Sequence, residues 1–423
     1  MVNCGYYLNN KFDMLKWACP FMRPFTNLIP FEDARRIVLE NVRPIEDVEE
    51  VSLLGALGRV LAEDVVSSIN VPPFARAAED GYAVRAEDTY GAGQYAPKEF
   101  KLIGEINTGE YKEINVGKGE CVKIATGAIL PKGADAVVRV EDTDEENGIV
   151  RVYRPVHPGF DVAPEGEDIK KGDKVIEKGT FLNPPKIGAL AAIGISKVKV
   201  YRRPRIAVLP SGNELVVPGE KIEKGKIYDV NTYTISSVIM ENGGEPVIFP
   251  FVMDDKEDIE KKLREALNYD MVVFSGGSSV GDRDLLIDVV SKYAKVLFHG
   301  VQIKPGKPTW CARGDKLIFG MPGFPASCLN DSYQFLAPAV RKMARLPPKK
   351  EKIVKARMAR RITSTLGRMQ FFTVRLKDGY AYPAYKTSGA ITSLADSDGY
   401  IIIPANSDLV EKDEEVEVHL WGD

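Results

Sequence analysis

Histidine is almost missing from this 423-residue chain: His157, His299 and His419 are the whole complement, and they lie far apart. Five cysteines, at 4, 19, 121, 311 and 328, form no C-x-x-C pair. The spacings exclude a zinc site of the usual kind, and the thiols read as unpaired in a reducing cytoplasm. Any metal handled here must arrive on a substrate or be held by carboxylates. No apolar run approaches the ~20 residues of a membrane-spanning helix. The 57 Lys and Arg balance 60 Asp and Glu to a net −3, with no basic block long enough to suggest nucleic acid. Glutamine occurs only at 94, 302, 334 and 370, while Lys, Arg and Glu abound, a bias that suits a thermophile. The expectation is a cytoplasmic protein with neither membrane nor nucleic acid as partner. The length exceeds one ordinary core, so two to four domains are expected.

What is present is most informative between Asp270 and Lys307. Met271 to Ser275 read as a buried strand by length and β-branching. The strand opens into Ser275-Gly276-Gly277-Ser278-Ser279-Val280-Gly281. Glycines there let the backbone turn tightly and aim several N–H groups at one oxyanion. Lys304 and Lys307 follow in a proline-stiffened loop and could neutralise such a ligand. Asp282 and Asp284 stand beside the cradle. Anion cradle, cations and carboxylates together predict an anionic substrate with bound Mg²⁺.

The rest of the chain divides by pattern. Residues 1–26 read as an N-terminal extension, disordered or with a mis-set start, Met14 or Met22 being the alternatives; they carry no secretory signal. Helical spacing appears at 30–42, with a stripe of Ala34, Ile37, Val38 and Val42, and again at 52–65 and 184–194. Residues 71–85, rich in Pro, Ala and Gly, read as a boundary loop. Short strands separated by turn signals fill 99–155. The expected domains are therefore a discontinuous N-terminal domain (27–70 and 160–203) interrupted by a small β domain (71–159). Residues 204–346 alternate strand and helix, predicting a mostly parallel sheet covered on both faces. Ligands bind such sheets at the carboxyl ends of the strands. Three loops lie at such ends: 211–215, the Gly-rich loop and 321–327. Residues 347–423 read as a C-terminal β domain.

The ordered segments AEDGYAVR (78–85), TGAILPKGADAVV (126–138), EGEDI (165–169), SGNEL (211–215), IYDVN (227–231), SGGSSVGDRD (275–284), IKPGKP (303–308) and MPGFP (321–325) resemble the MoeA family of molybdopterin molybdenumtransferases, which includes the E-domains of gephyrin and Cnx1. The resemblance runs from about residue 27 to the end. It implies a multidomain α/β plus β fold: an elongated chain with an inserted small β domain, a three-layer MogA-like molybdopterin-binding domain and a C-terminal β-barrel-like domain. It implies an enzyme that inserts molybdate, or tungstate, into adenylyl-molybdopterin with Mg²⁺ and releases AMP. It implies a homodimer in which the inserted domain of one subunit completes the cleft of the other, and the molybdopterin adenylyltransferase as a further partner.

By motif, the resemblance gives catalytic roles to Asp80, Glu214, Asp284 and Lys304. Substrate contacts fall to Thr126, Asp168, Asp254, Ser275, Gly276, Gly277, Ser278, Lys307, Pro322, Gly323 and Pro325, and metal ligation to Asp168, Glu214 and Asp284. The chain departs from the family's pattern at Asn213, where an acid is usual, at Ser278, at Phe324 and near Thr373, where an arginine is usual; such changes fit altered oxyanion handling. Blander readings stand beside these: Asp80 as a turn cap before Gly81, Glu214 as a solvated acid, Lys307 as a surface ion-pair partner, and Trp310 and Trp421 as packing residues. Two rival enzyme classes, the molybdopterin adenylyltransferases and CinA-like nucleotide hydrolases, share the α/β domain but lack the inserted segment. A non-enzymatic scaffold is the third alternative.

Overall fold

The structure, a computed structural model, describes residues 28–276 and 285–421. The expected N-terminal extension lies outside them, as do Gly277, Ser278 and Asp284. The chain forms two compact units, one of Val48–Val200 and one joining the residues up to Asp47 with Tyr201 onward.

The Val48–Val200 unit holds a six-stranded sheet in the order Ala136–Arg139, Gly81–Val84, Glu120–Ile124, Lys98–Ile106, Ile149–Val152, Thr143–Glu146. The strands at 98–106, 120–124, 136–139 and 149–152 match the sequence pattern. Gly81–Val84 does not: the segment 71–85 reads as a loop, yet this strand is buried at every position. Its Asp80-Gly81 turn signal hides the short apolar run Tyr82-Ala83-Val84 behind it. The expected helix at 52–65 is a second correction. Only Leu53–Ala56 is helical, with the Ser52 hydroxyl accepting from Gly55 N at 3.3 Å. Gly58 has φ +75°, which ends the helix. Val60 and Leu61 then bridge to Phe181 and Val200. A separate core joins Ala56, Leu61 and Val65 to Leu182, Leu190 and Val200.

The second unit is built on a six-stranded sheet. Its strands are β1 (Arg205–Pro210), β2 (Glu245–Ile248), β3 (Met271–Ser275), β4 (Lys295–His299), β5 (Trp310–Arg313) and β6 (Leu317–Met321), in the order β2-β1-β3-β6-β5-β4. The pairings β2–β1, β1–β3 and β3–β6 are parallel, while β5 runs antiparallel to β6 and β4. The sheet is thus mixed. The added strand β5 escapes sequence pattern because it is four residues long and follows a proline loop.

Alternate residues feed two cores, as period-two side-chain direction requires. Ile206, Val208, Met271, Val273, Leu317 and Phe319 join one core with the helices Asn231–Glu241 and Ala337–Met343 and with Ala34 and Val38 of the helix Phe31–Glu40. Ala207, Leu209, Val272, Phe274 and Ile318 join the other with Ile259 and Leu263 of Lys256–Ala266 and Val289 of Leu285–Val290. This is the three-layer arrangement. Each large side chain so buried contributes roughly 1.5–3 kcal/mol.

Beyond Pro347 five strands close into a barrel: Met369–Lys377, Tyr380–Pro383, Ile353–Met358, Glu415–Leu420 and Gly399–Ile403, the last pairing back to the first. A two-residue strand, Ile303–Lys304, pairs in parallel with Met369 and Gln370. The 303–308 segment is thereby hydrogen-bonded to the barrel.

Gly320 on β6 faces Trp310 on β5, and a Cβ there would overlap the indole. The indole is wholly buried, so relief is hard to find in a close-packed interior. Gly320→Ala is expected to cost about 2–3 kcal/mol, read as a lower urea midpoint at unchanged slope; an unchanged midpoint would mean that the indole has room to move.

Candidate active site

The loops that follow β1, β3 and β6 meet at one end of the sheet. Ser211 N donates to Ser275 O at 2.9 Å, and Gly276 N donates to Met321 O at 3.1 Å. Ser211 and Ser275 are themselves buried. Each loop is therefore held by the next strand's backbone, and their outer residues frame a cleft of ≈ 840 Å³. Glu214, Asp254, Ser275, Gly276, Lys304, Lys307, Pro322, Gly323 and Pro325 all line it.

The IYDVN segment positions the last loop. Asn231 Nδ2 donates to Gly323 O at 2.9 Å and Pro322 O at 3.4 Å. Asp229 Oδ1 accepts from Thr232 N at 3.1 Å. Asn231 Oδ1 is buried and has no hydrogen-bond partner among the described residues. The departure at Asn213 has a structural role: its Oδ1 accepts from Asp254 N at 3.4 Å. The PGFP turn is less open to anions than its helix-start position suggests. Pro325 has no N–H to give, and Ala326 N already donates to Ser388 O at 3.0 Å.

Charge in the cleft is divided three against three. Glu214, Asp229 and Asp254 oppose Lys304, Lys307 and Arg368. Lys304 Nζ donates to Thr365 Oγ1 at 3.2 Å. Burial, then the neighbouring Arg368 guanidinium, push the Lys307 ammonium below its ordinary value. Thr365, Arg368, Tyr385 and Ser388 also line the cleft and escape the sequence reading. Arg368 stands in the GRMQF segment, whose motif was the available signal.

Behind the lysine loop lies a buried acid. Asp331 is 0% exposed. Its Oδ1 accepts from Asn330 Nδ2 at 3.1 Å, its Oδ2 accepts from Thr309 Oγ1, and Asn330 Nδ2 also reaches Pro305 O at 3.4 Å. A Cβ on Gly306, which has φ +113°, would collide with the Asp331 carboxyl. Burial holds this carboxyl well above its ordinary range, against the opposing pull of the Thr309 and Asn330 hydrogen bonds. The buried acid thus acts as a wedge that supports the Lys304–Lys307 turn.

Asp80, Thr126 and Asp168 belong to the Val48–Val200 unit. Asp80 Oδ1 accepts from Thr126 N at 2.7 Å and Thr126 Oγ1 at 2.8 Å. These bonds, the backbone one first, lower the Asp80 pKa. The pairing joins two expected site residues and shows that Asp80 holds the 125–128 turn. Asp168 is exposed, in a loop tied back by Asp168 N to Val71 O at 3.0 Å and Lys171 N to Asn70 Oδ1 at 2.8 Å. Among the described residues no three His, Cys, Asp or Glu cluster as a metal site, and Asp284 lies outside them.

The raised pKa of Asp331 has a consequence for stability. Between the unfolded value, about 3.9, and the higher folded value, the folded chain binds more protons. Stability attributable to this group is therefore full below the unfolded value and declines as pH rises through that window. Asp331→Asn is expected to match the parent near pH 4 and to exceed it increasingly toward neutral pH, in urea midpoints measured across pH. A difference independent of pH would mean that the carboxyl titrates normally.

Comparison with known proteins follows the same outline. Residues 29–194 match the MoeA N-terminal region (domain I and II), residues 207–342 a probable molybdopterin binding domain, and residues 355–421 the MoeA C-terminal region (domain IV). A molybdopterin biosynthesis protein of Methanocaldococcus jannaschii is 38% identical over 94% of this chain and 100% of its own length. A molybdopterin molybdenumtransferase of Nostoc sp. is 31% identical over 93% of this chain and 94% of its own. Two crystal structures of molybdopterin biosynthesis MoeA proteins from Pyrococcus horikoshii are 40% and 37% identical, with TM-scores of 0.81 and 0.79; they cover 94% and 93% of this chain and all of theirs.

Proposed function

The chain belongs to the MoeA family, and from that premise we propose that it is a molybdopterin molybdenumtransferase. It accepts adenylyl-molybdopterin and an oxyanion, inserts the metal at the pterin dithiolene, and releases AMP as the adenylyl–phosphate bond is hydrolysed. Molybdate and tungstate both present four acceptor oxygens and two negative charges, so both are candidate oxyanions. The observation that carries the reading is the meeting of three cations and three carboxylates in a single cleft at the strand ends. Such a site suits a substrate that is itself polyanionic and brings a metal.

This chain's residues divide the work by charge. Lys304, Lys307 and Arg368 offset the charge of phosphate and oxyanion. Gly276, at φ +87° with its N–H given to Met321 O, turns the chain out of β3 at the edge of the cleft. Asn231 orients the PGFP turn through its amide N–H. The buried Asp331 keeps the lysine turn in place.

Mg²⁺ fits the donor set. Glu214 and Asp254 are hard oxygen donors in the cleft, and Mg²⁺ is commonly held by one or two carboxylates with water and substrate phosphate supplying the rest. Asp284, at the close of the Gly-rich loop, and Asp168 complete the proposed set. When bound, Mg²⁺ would neutralise charge on the adenylyl phosphate and polarise its P–O bond.

We further propose a homodimer in which Asp80 and Thr126 of one subunit complete the partner's cleft, and the adenylyltransferase as the source of substrate. The direct test is AMP release from adenylyl-molybdopterin with Mg²⁺, with and without oxyanion, molybdate and tungstate being run side by side at limiting concentration. Release that needs the oxyanion supports the transferase; release without it indicates a nucleotide hydrolase.

Two variants probe the roles. Lys304→Ala is expected to raise the oxyanion concentration for half-maximal insertion by about tenfold or more, the worth of a charge-assisted hydrogen bond, with a smaller effect on nucleotide binding. Lys304→Arg should rescue only partly. Weaker pterin binding at unchanged oxyanion dependence would instead assign the lysine to the phosphate. For the dimer, Asp80→Ala and Glu214→Ala are each expected to be inactive alone. After subunit exchange they should recover about a quarter of the parent activity, because half the dimers then hold one intact site of two. No recovery from verified heterodimers would place the site within one subunit.

A further inference from the structure

A second cavity, ≈ 660 Å³, shares no lining residue with the cleft. It is framed by the helix Phe31–Glu40, by the π turn Ser332–Leu336 with the helix Ala337–Met343 that continues it, by the 344–352 connection, and by barrel residues Tyr400, Leu420 and Trp421. Its size lies within the usual range for small-molecule sites.

Its floor is aromatic and fixed. Tyr333 and Trp421 stack with centroids 5.1 Å apart, and Tyr400 lies 4.6 Å from Trp421. Trp421 Nε1 donates to Ser397 Oγ at 2.8 Å, and His419 stacks on Tyr400 at 5.2 Å. A π turn sets Tyr333 and Gln334 into the lining, and such turns recur at functional sites.

Its rim carries a large excess of cations. Seven lining residues are Lys or Arg, and Glu351 is the one acid among them. Lys342 and Arg345 give their donors to the carbonyls of Leu39 and Ile45, and Arg341 to that of Pro347 at 2.8 and 3.0 Å. Carbonyls fix these groups in place but do not cancel their charge. Lys349 pairs with Glu241 at 2.7 Å, and Glu351 is met by His419 at 3.0 Å. The side chains of Arg35, Lys350 and Lys352 have no hydrogen-bond or ion-pair partner among the described residues. Holding like charges around one hollow is unfavourable unless an anion enters.

We propose that this cavity is a second ligand site, for an organic phosphate carrying a planar ring. Arg35, Lys350 and Lys352 receive the phosphate, and the ring lies against the Tyr333–Trp421–Tyr400 floor. Three cations suit a dianion better than a single carboxylate, and an aromatic floor favours a flat, polarisable body over an aliphatic one.

The test is calorimetric titration of the full chain with AMP, adenosine and pyrophosphate, using AMP as the probe for a ring and phosphate joined. The parent should show two AMP sites. The triple variant Arg35→Glu/Lys350→Glu/Lys352→Glu should lose one of them by about tenfold or more and keep the other. Lys304→Ala/Lys307→Ala should weaken the other and keep this one, so failure of the cleft assignment would be read separately. Trp421→Phe, which removes the reporting indole while keeping an aromatic ring at the floor, should abolish the part of AMP-induced fluorescence quenching that survives in the cleft variant. AMP binding unaltered by the rim reversal would overturn the proposal. So would pyrophosphate binding the rim site as tightly as AMP, which would make it an anion patch without ring recognition. A rim variant that changes oligomeric state with both AMP sites intact would also overturn it, assigning the cavity to contact between copies.

Discussion

Burial of strand β3 on both faces is the constraint on which the cleft depends. All five of its residues are buried, with Val273 in one core and Val272 and Phe274 in the other. A strand gripped in this way cannot slip by one residue without turning every side chain to the wrong face. Its neighbours β1 and β6 are locked to it in parallel register from Ile206 and Leu317 onward. Because parallel strands end on the same side, their following loops are brought together by topology alone. No strong attraction between the loops is required. That freedom lets the loops carry charge, glycine and proline instead of apolar anchors.

The barrel supplies what the sheet cannot. The lysine loop leaves the sheet between β4 and β5 and would be an exposed connection, but Ile303 and Lys304 pair with Met369 and Gln370. From the other side Asp331 and Asn330 brace the loop at Gly306 and Pro305. Lys307 is thereby held near Arg368, whose charge together with burial disfavours the ammonium. Preorganised charge of this sort avoids reorganisation when the ligand binds. The three acids across the cleft keep the site from being an indiscriminate anion trap.

Much of this was legible in the chain. The alternation of strand and helix over 204–345 follows from apolar runs of strand length, each bounded by a turn signal. The three strand-end loops were identifiable by their glycines, prolines and charges. The missing parts share a cause: each depends on contacts distant in sequence. Trp310–Arg313 becomes a strand because β4 and β6 flank it. After Gly58 ends the helix, Val60 and Leu61 are extended because Phe181 and Val200 offer backbone partners. Arg368 and Tyr385 reach the cleft only through closure of the barrel. Asp331 reads as an ordinary polar position of a helix, since nothing local announces that both Thr309 and Gly306 will be folded over it.

The π turn at Ser332–Leu336 gives the helix that begins at Pro325 two separate phases. An α-helix advances about 100° per residue, and a π turn takes up roughly one residue more than an α turn would. Ala326 and Cys328 are buried ahead of the turn, and Ala339, Val340 and Met343 after it. Ser327, Asn330 and Asp331 are buried as well, so the segment ahead of the turn is enclosed on more than one side. The two halves answer to different surroundings: Pro325 and Ser327, ahead of the turn, line the cleft, and Ala337, Pro338 and Arg341, after it, line the second cavity.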